Sequence, residues 1–191
     1  IWWPSLHAVG DATLRCLPAG PDATVESVRW TYLAALQQAQ ERVRIVTPYF
    51  LPEDDLLAAM SSAALRGVRV ELVLPATPNV SYLWWATLTA LPALHERDVH
   101  IFQTRPPFSH TKLLVVDEAW ALFGSSNWDA RSLRLNFELN VECYTPEVVT
   151  RANALVDSFL EGSRELTEDD LDQPRWQQLR GRLARLFQPY L

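Results

Sequence analysis

Three short strand-like runs, rich in valine, isoleucine and leucine, alternate with helix-length segments in the first half of the chain. No other feature limits the fold as much. The runs lie at 43–46, 68–74 and 99–103. Between the first two, Pro52 followed by Glu53, Asp54 and Asp55 opens a helix with acids in its first turn, and Gly67 closes it. A helix is predicted from about 80 to 97, kinked or divided at Pro92. Strands joined through helices lie parallel and are covered on both faces, and 68–74 is near-continuously apolar on one side, as a covered sheet requires. Upstream, 12–18 reads as a strand. Ala19-Gly20-Pro21-Asp22 breaks it, and Asp22 or Thr24 can cap a helix to about 40.

The second half reads differently. Strands are predicted at 111–116, 120–123 and 137–144, the first two joined by Asp117-Glu118-Ala119, short enough for a hairpin turn. Pro146 starts the last main helix, to about 161, and no internal repeat is visible. After Gly162 come Glu165, Glu168, Asp169, Asp170 and Asp172, then Arg175, Arg180, Arg182 and Arg185. The expectation is an α/β fold with a mixed, mostly parallel sheet over 1–162 and a helical surface appendage over 163–191. With 191 residues, 48% of them hydrophobic, the chain fits one domain with a real core.

Charge and cysteine content narrow the function classes. A net charge of −6 weighs against a phosphate-gripping nucleic-acid binder. Cys16 and Cys143 make no disulfide framework, so a reducing compartment is expected. The longest apolar run, 83–94, is too short to cross a bilayer, and no signal peptide is visible. The start at Ile1 reads as a cut from something longer, with this stretch soluble by itself. Of 17 basic residues only one is lysine, Lys112; a codon bias accounts for the arginines, and the exception marks a place to inspect. Trp2-Trp3 and Trp84-Trp85, among eight tryptophans, serve a core, an interface or a lipid-facing surface.

The chemistry concentrates around Ser109-His110-Thr111-Lys112. On a strand, His110 and Lys112 point the same way. An imidazole beside an ammonium can grip a phosphate and attack it or move a proton near neutral pH, whereas a solvated strand end is the plain alternative. Asp117 has the opposite parity, about 23 Å of extended chain from His110, and is read as fixing the turn. Gly124-Ser125-Ser126-Asn127 ends a strand in residues that let a ligand approach and donate to phosphoryl oxygens, or simply turn the chain. Residues 136–142 alternate strictly, with Asn136, Glu138, Asn140 and Glu142 on the face away from the core. Glu142 is read as half-exposed, while Glu138 is half-exposed or orients an imidazole.

Together, His110-x-Lys112-x4-Asp117, Gly124-Ser125-Ser126-Asn127 and Glu138 resemble the signature of the phospholipase D superfamily. The run from Gly124 through Glu142, Thr47-Pro48-Tyr49-Phe50-Leu51-Pro52, and the Gly20-Pro21-Asp22 turn further resemble the second-motif, C-terminal half of bacterial cardiolipin synthases. The resemblance implies an α-β-α sandwich and a site built from two motifs, one histidine forming a phosphohistidine while the other protonates the leaving alcohol. By that resemblance His110 would be the general acid and later base, although nucleophile stays open. Lys112 and Asn127 would hold phosphoryl oxygens with Ser125 in support, Glu138 would orient a histidine, and Asp117 and Gly124 would be structural. No metal or other cofactor would be needed, and Arg131 and Arg134 are expected in surface ion pairs.

The chain departs from the two-motif pattern. His7, His95 and His100 have no lysine two residues on, so only one motif is present. The expected partners are phosphatidylglycerol, a membrane surface, and either the other catalytic half or a second copy of the chain; nucleic acid is not expected. Three functions follow: half of a phosphatidyltransferase joining two phosphatidylglycerols at the cytoplasmic side of a bacterial inner membrane, a homodimeric phosphodiesterase or nuclease, or a non-catalytic domain of the same fold.

Overall fold

Strands β2 (Arg42–Val46), β4 (Arg69–Pro75) and β5 (Val99–Thr104) form from the three apolar runs and lie parallel at the centre of the sheet. The computed structural model describes residues 7, 10–21, 25–76 and 80–186. Asp22 and Thr24, expected to cap the first helix, and Trp2-Trp3 lie outside the described residues. In chain order, β1 (Leu14–Ala19) and α1 (Ser27–Gln38) precede β2. The short β3 (Phe50–Leu51) and α2 (Asp54–Leu65) lead to β4. The helix predicted over 80–97 is divided into α3 (Ser81–Thr87) and α4 (Leu91–His95), with Pro92 in the first turn of α4, where its missing N–H is harmless.

After β5 come β6 (Leu113–Val116), β7 (Trp120–Gly124), the short β8 (Trp128–Asp129) with α5 (Ala130–Arg134), β9 (Glu138–Cys143) and α6 (Pro146–Glu161). Then β10 (Ser163–Glu165), α7 (Glu168–Leu171) and α8 (Arg175–Arg185) complete the described chain. The main sheet runs β1-β9-β7-β6-β2-β4-β5-β10. Only the β2–β4 and β4–β5 pairs are parallel; β1–β9, β9–β7, β7–β6, β6–β2 and β5–β10 are antiparallel. The expected mostly parallel sheet is therefore mostly antiparallel. Helical crossovers return the chain in parallel only between β2, β4 and β5, whereas a tight hairpin joins β6 to β7 and the segment carrying β8 and α5 leads from β7 back to an antiparallel β9. Residues 163–165 are an edge strand of the same sheet, and the segment after them is helical.

The sheet is covered on both faces. Tyr32 and Leu36 of α1, Leu56 and Met60 of α2, and Leu91 and Leu94 of α4 close one side over Val43, Ile45, Val70 and Leu72. Val149 and Val156 of α6 close the other over Val46, Val73, Val115 and Ala121. On that second face, Arg44 is buried and its Nε donates to Glu71 at 2.8 Å, directly across the β2–β4 pair. Nη1 of Arg44 also reaches the Asn153 carbonyl at 3.0 Å, tying α6 to the sheet. Among the described residues, no helix is long and apolar enough to cross a membrane.

Candidate active site

Antiparallel pairing gathers the motif residues at one end of the sheet. Leu113 at the start of β6 faces Phe123 near the end of β7, and Gly124 at that end faces Asn140 near the start of β9. His110 and Lys112 sit just before β6 rather than within it, since the predicted strand over 111–116 begins only at Leu113. They still meet. Lys112 Nζ is 3.1 Å from His110 Nδ1 and 3.3 Å from Nε2, and it donates to the His110 carbonyl at 3.0 Å. The ammonium and the imidazole thus form one polar unit, with Lys112 buried to 9% exposure and His110 exposed.

Both groups are electrostatically shifted. Partial desolvation of its ring, and then the Lys112 charge, hold the His110 imidazole below its usual range, which keeps it neutral near pH 7. Burial pulls the Lys112 ammonium down to about 8, opposed by the nearby carboxylates of Glu138 and Asp129. The same couplings place Lys112, Glu138 and Asp129 in one neighbourhood. Tyr49 holds the imidazole by an edge contact, ring centroids 5.8 Å apart, and Phe108 lies 6.1 Å away. Tyr49 was legible only as part of the Thr47–Pro52 resemblance. Its neighbour Phe50 is core, while Trp84 and Trp85 are half-buried.

The Gly124-Ser125-Ser126-Asn127 turn is fastened to β9. Asn140 donates to Ser126 Oγ at 2.8 Å and accepts from the Ser126 N–H at 3.3 Å. A Cβ on Gly124 would collide with the Asn140 side chain and the Leu139 carbonyl, so glycine here serves strand approach. Ser125 Oγ accepts from the Leu139 N–H at 3.0 Å, which commits that hydroxyl to β9. Asn127 is different. Its Nδ2 donates to Ser132 Oγ at 3.2 Å, while its Oδ1 is buried without a partner. The two ends of a carboxamide are alike in shape. Turned over, the oxygen accepts from Ser132 and the amide N–H bonds occupy the orphan position, ready for an anion.

Trp128 fixes the next residues by stacking on Tyr32 at 4.4 Å between ring centroids. Asp129 is buried, accepts from the Ser132 N–H at 2.7 Å as the cap of α5, and is held above the usual carboxylate range by its burial. Asp129, Ser132 and Asn140 escaped sequence reasoning. The Asp-x-x-Ser spacing of a helix cap was the available signal for the first two. Glu138 accepts from Asn136 at 3.1 Å and makes no hydrogen bond to His110. Its strand inverts an expectation: Asn140 and Glu142 are buried, while Phe137 and Leu139 are 77% and 55% exposed. Glu142, expected half-exposed, is buried because Arg15 of β1 pairs with it across the strands. The apolar face is bare because α6 packs over β5, β6 and β7 and stops short of β9.

The remaining motif residues are structural in their contacts. Asp117 Oδ1 accepts from the backbone N–H of Glu41 and Arg42 at 2.9 and 2.7 Å, and Oδ2 from Gln40 at 3.1 Å. It therefore secures the loop entering β2, far along the strand from His110. Arg134 pairs with Glu26 and Glu53, both at 3.0 Å, whereas Arg131, among the described residues, reaches the Asn136 side chain at 3.4 Å and no carboxylate. His100 pairs with Glu165 across β5 and β10 at 2.7 Å. Among the described residues, no three His, Cys, Asp or Glu side chains converge as a metal site would require.

Comparison with known proteins agrees with this geometry. Residues 32–160 match the family described as cardiolipin synthase, PLD-like domain. The chain is 33% identical to the major cardiolipin synthase ClsA of Bacillus subtilis, over 99% of this chain and 39% of that protein. It thus spans about two fifths of that relative's length. Among solved structures, the phosphatidylserine synthase of Haemophilus influenzae has a TM-score of 0.75 at 18% identity, over 94% of this chain and 48% of that one. The phospholipase D family member Nuc of Salmonella typhimurium has a TM-score of 0.70 at 19% identity, over 83% of this chain and all of that one.

Proposed function

The chain belongs to the cardiolipin synthase, PLD-like domain family, and from that premise we propose that it supplies one half of a phosphatidyltransferase site, with His110 as a reacting group. The observation that carries the reading is the His110–Lys112 unit: a neutral imidazole within hydrogen-bond reach of a buried ammonium that is itself coupled to the carboxylates of Glu138 and Asp129. In the first step an imidazole nitrogen attacks the phosphorus of one phosphatidylglycerol. The P–O bond to glycerol breaks, and the departing oxygen takes a proton from an opposed histidine. In the second, the hydroxyl of another phosphatidylglycerol gives its proton back to that histidine and attacks phosphorus, and the P–N bond breaks. Cardiolipin and glycerol are the products.

One imidazole cannot be nucleophile and opposed acid in the same step, so this half needs a second. In that pairing His110, neutral as it stands, is fit to attack phosphorus, and it takes the acid and then the base role that the resemblance implies only after gaining a proton. Lys112 and Asn127 neutralise the phosphoryl oxygens without any metal or cofactor, as preorganised donors do. Glu138, which makes no hydrogen bond to His110, orients the partner's imidazole. The bare face at Phe137 and Leu139 adjoins Glu138 and gives the second half a place to dock. Two occupants fit. The chain covers 48% of one solved relative's chain, as a half would, and the whole of another's, as a self-assembling unit would. The net charge of −6 favours a lipid phosphodiester over nucleic acid.

The test is glycerol release from phosphatidylglycerol vesicles across a range of protein concentration, with His110→Ala alongside. Release abolished by the substitution, at an unchanged melting temperature, is the expected result; release that survives it overturns the assignment. A rate rising as the square of concentration identifies a second copy as the partner. A folded chain that is silent alone, and active when mixed with a first-motif half, identifies a separate one.

A further inference from the structure

Helix α8 wears its apolar residues on the outside. Trp176, Leu179, Leu183 and Leu186, spaced as one helical stripe, are 60%, 59%, 53% and 72% exposed. The face packed on the protein is instead small: Gly181 is buried against Thr89 and the Trp85 carbonyl, with no room for a Cβ, and Ala184 sits in the small cluster with Leu83 and Ala86 of α3. At 100° per residue the stripe lies almost opposite that seat. Arginines flank it on both sides: Arg175 and Arg182 along one edge, and Arg180, whose guanidinium lies over the Trp85 ring, along the other. The helix carries four arginines and no acid in a chain whose net charge is −6.

We propose that α8 is an interfacial helix that seats the protein on an anionic lipid bilayer, the stripe entering the acyl boundary and the flanking arginines meeting lipid phosphates. A helix of low overall hydrophobicity, with tryptophan and leucines on one face and arginines beside them, is the composition that lies in the plane of a membrane surface. The charge selects the occupant, since the three arginines flanking the apolar stripe complement an anionic surface, while Arg185 is paired with Asp54. The placement is productive as well. Arg182 and Leu186 line a cleft with Ala130 and Arg134 of α5, the helix that follows Asn127 and Asp129, and the acids of that cleft, Glu53 and Asp54, are paired with Arg134 and Arg185. The seated bilayer thus lies beside the end of the sheet that carries His110. This surface is distinct from the bare face of β9 and needs no turnover to be observed.

Sedimentation with vesicles of equal parts phosphatidylglycerol and phosphatidylcholine, against vesicles of phosphatidylcholine alone, tests it. The chain should bind the anionic vesicles, more weakly at high salt. The double variant L179E/L183E should bind them about tenfold or more weakly at an unchanged melting temperature. Leu155→Glu, on α6 across the sheet, should bind as the unsubstituted chain does. Equal binding by the double variant, no binding by the unsubstituted chain, or a stripe that instead mediates self-association without lipid each overturns the proposal. Because the readout is binding, its failure leaves the glycerol-release result standing, and the reverse holds too.

Discussion

Lys112 is the lone lysine in a chain that otherwise uses arginine, and its surroundings account for the choice. A buried position within 3.3 Å of both ring nitrogens suits a compact ammonium, while a planar guanidinium needs more room and spreads its charge. Burial also makes that charge conditional. With its pKa pulled down to about 8, Lys112 is charged below that pH and neutral above it, so an anion loses its counter-charge as pH rises through about 8. Binding of inorganic phosphate or tungstate, followed by calorimetry, should therefore weaken across that interval, with the fall absent in Lys112→Gln. A flat profile from pH 7 to 9 in the unsubstituted chain would contradict the assignment. His110, held neutral near pH 7, gains its charge only on the acid side.

Between elements, the motif aspartate does its work at a distance. Asp117 takes a left-handed backbone, φ 54°, and its carboxylate accepts three backbone N–H groups from the loop entering β2. Because β2 pairs with both β4 and β6, that loop sets the middle of the sheet. Asp117→Asn keeps the turn, which asparagine tolerates, but swaps one accepting oxygen for a donor facing an N–H. The expected cost is about 1–3 kcal/mol, read as a fall of several degrees in melting temperature, with glycerol release per folded molecule little changed. A variant that melts normally yet has lost turnover would move Asp117 into the chemistry. Residues 136–142 make a related point about faces: the alternation is real, but the buried side is the polar one. Asn140 and Glu142 are satisfied there by Ser126 and Arg15, so their burial does not strand a polar group.

For the molecule as a whole, the open question of partnership is written on two apolar surfaces that the monomer leaves bare. The face of β9 adjoins Glu138 and the stripe of α8 is ringed by arginine, so one suits a protein half and the other a lipid surface. The double variant F137E/L139E places charges on the face proposed to receive the second half. It should abolish the second-order rise of glycerol release, or the response to an added first-motif half, while vesicle binding and melting temperature stay as they were. Loss of vesicle binding instead would merge the two surfaces into one. A further consequence concerns residues 163–186: pairing of β10 with β5 and the seating of Gly181 on Trp85 tie this segment to the sheet and to α3.

The sequence by itself determined the longer elements and singled out the residues proposed to react. Apolar runs of four to seven residues, Pro52 and Pro146 at helix starts, and a lone lysine two residues from a histidine are local facts, fixed by steric and solvation preferences of neighbouring residues. The tertiary structure decided which strands run antiparallel, that Ser125 is spent on Leu139, that Asn127 is left with an orphaned oxygen, and which face of β9 is bare. It also turned a charge-rich tail into a helix whose apolar side looks outward. Each of these depends on what lies across a strand pair or beneath a helix. Period-2 and period-3.6 patterns separate two faces but do not say which of them another element will cover.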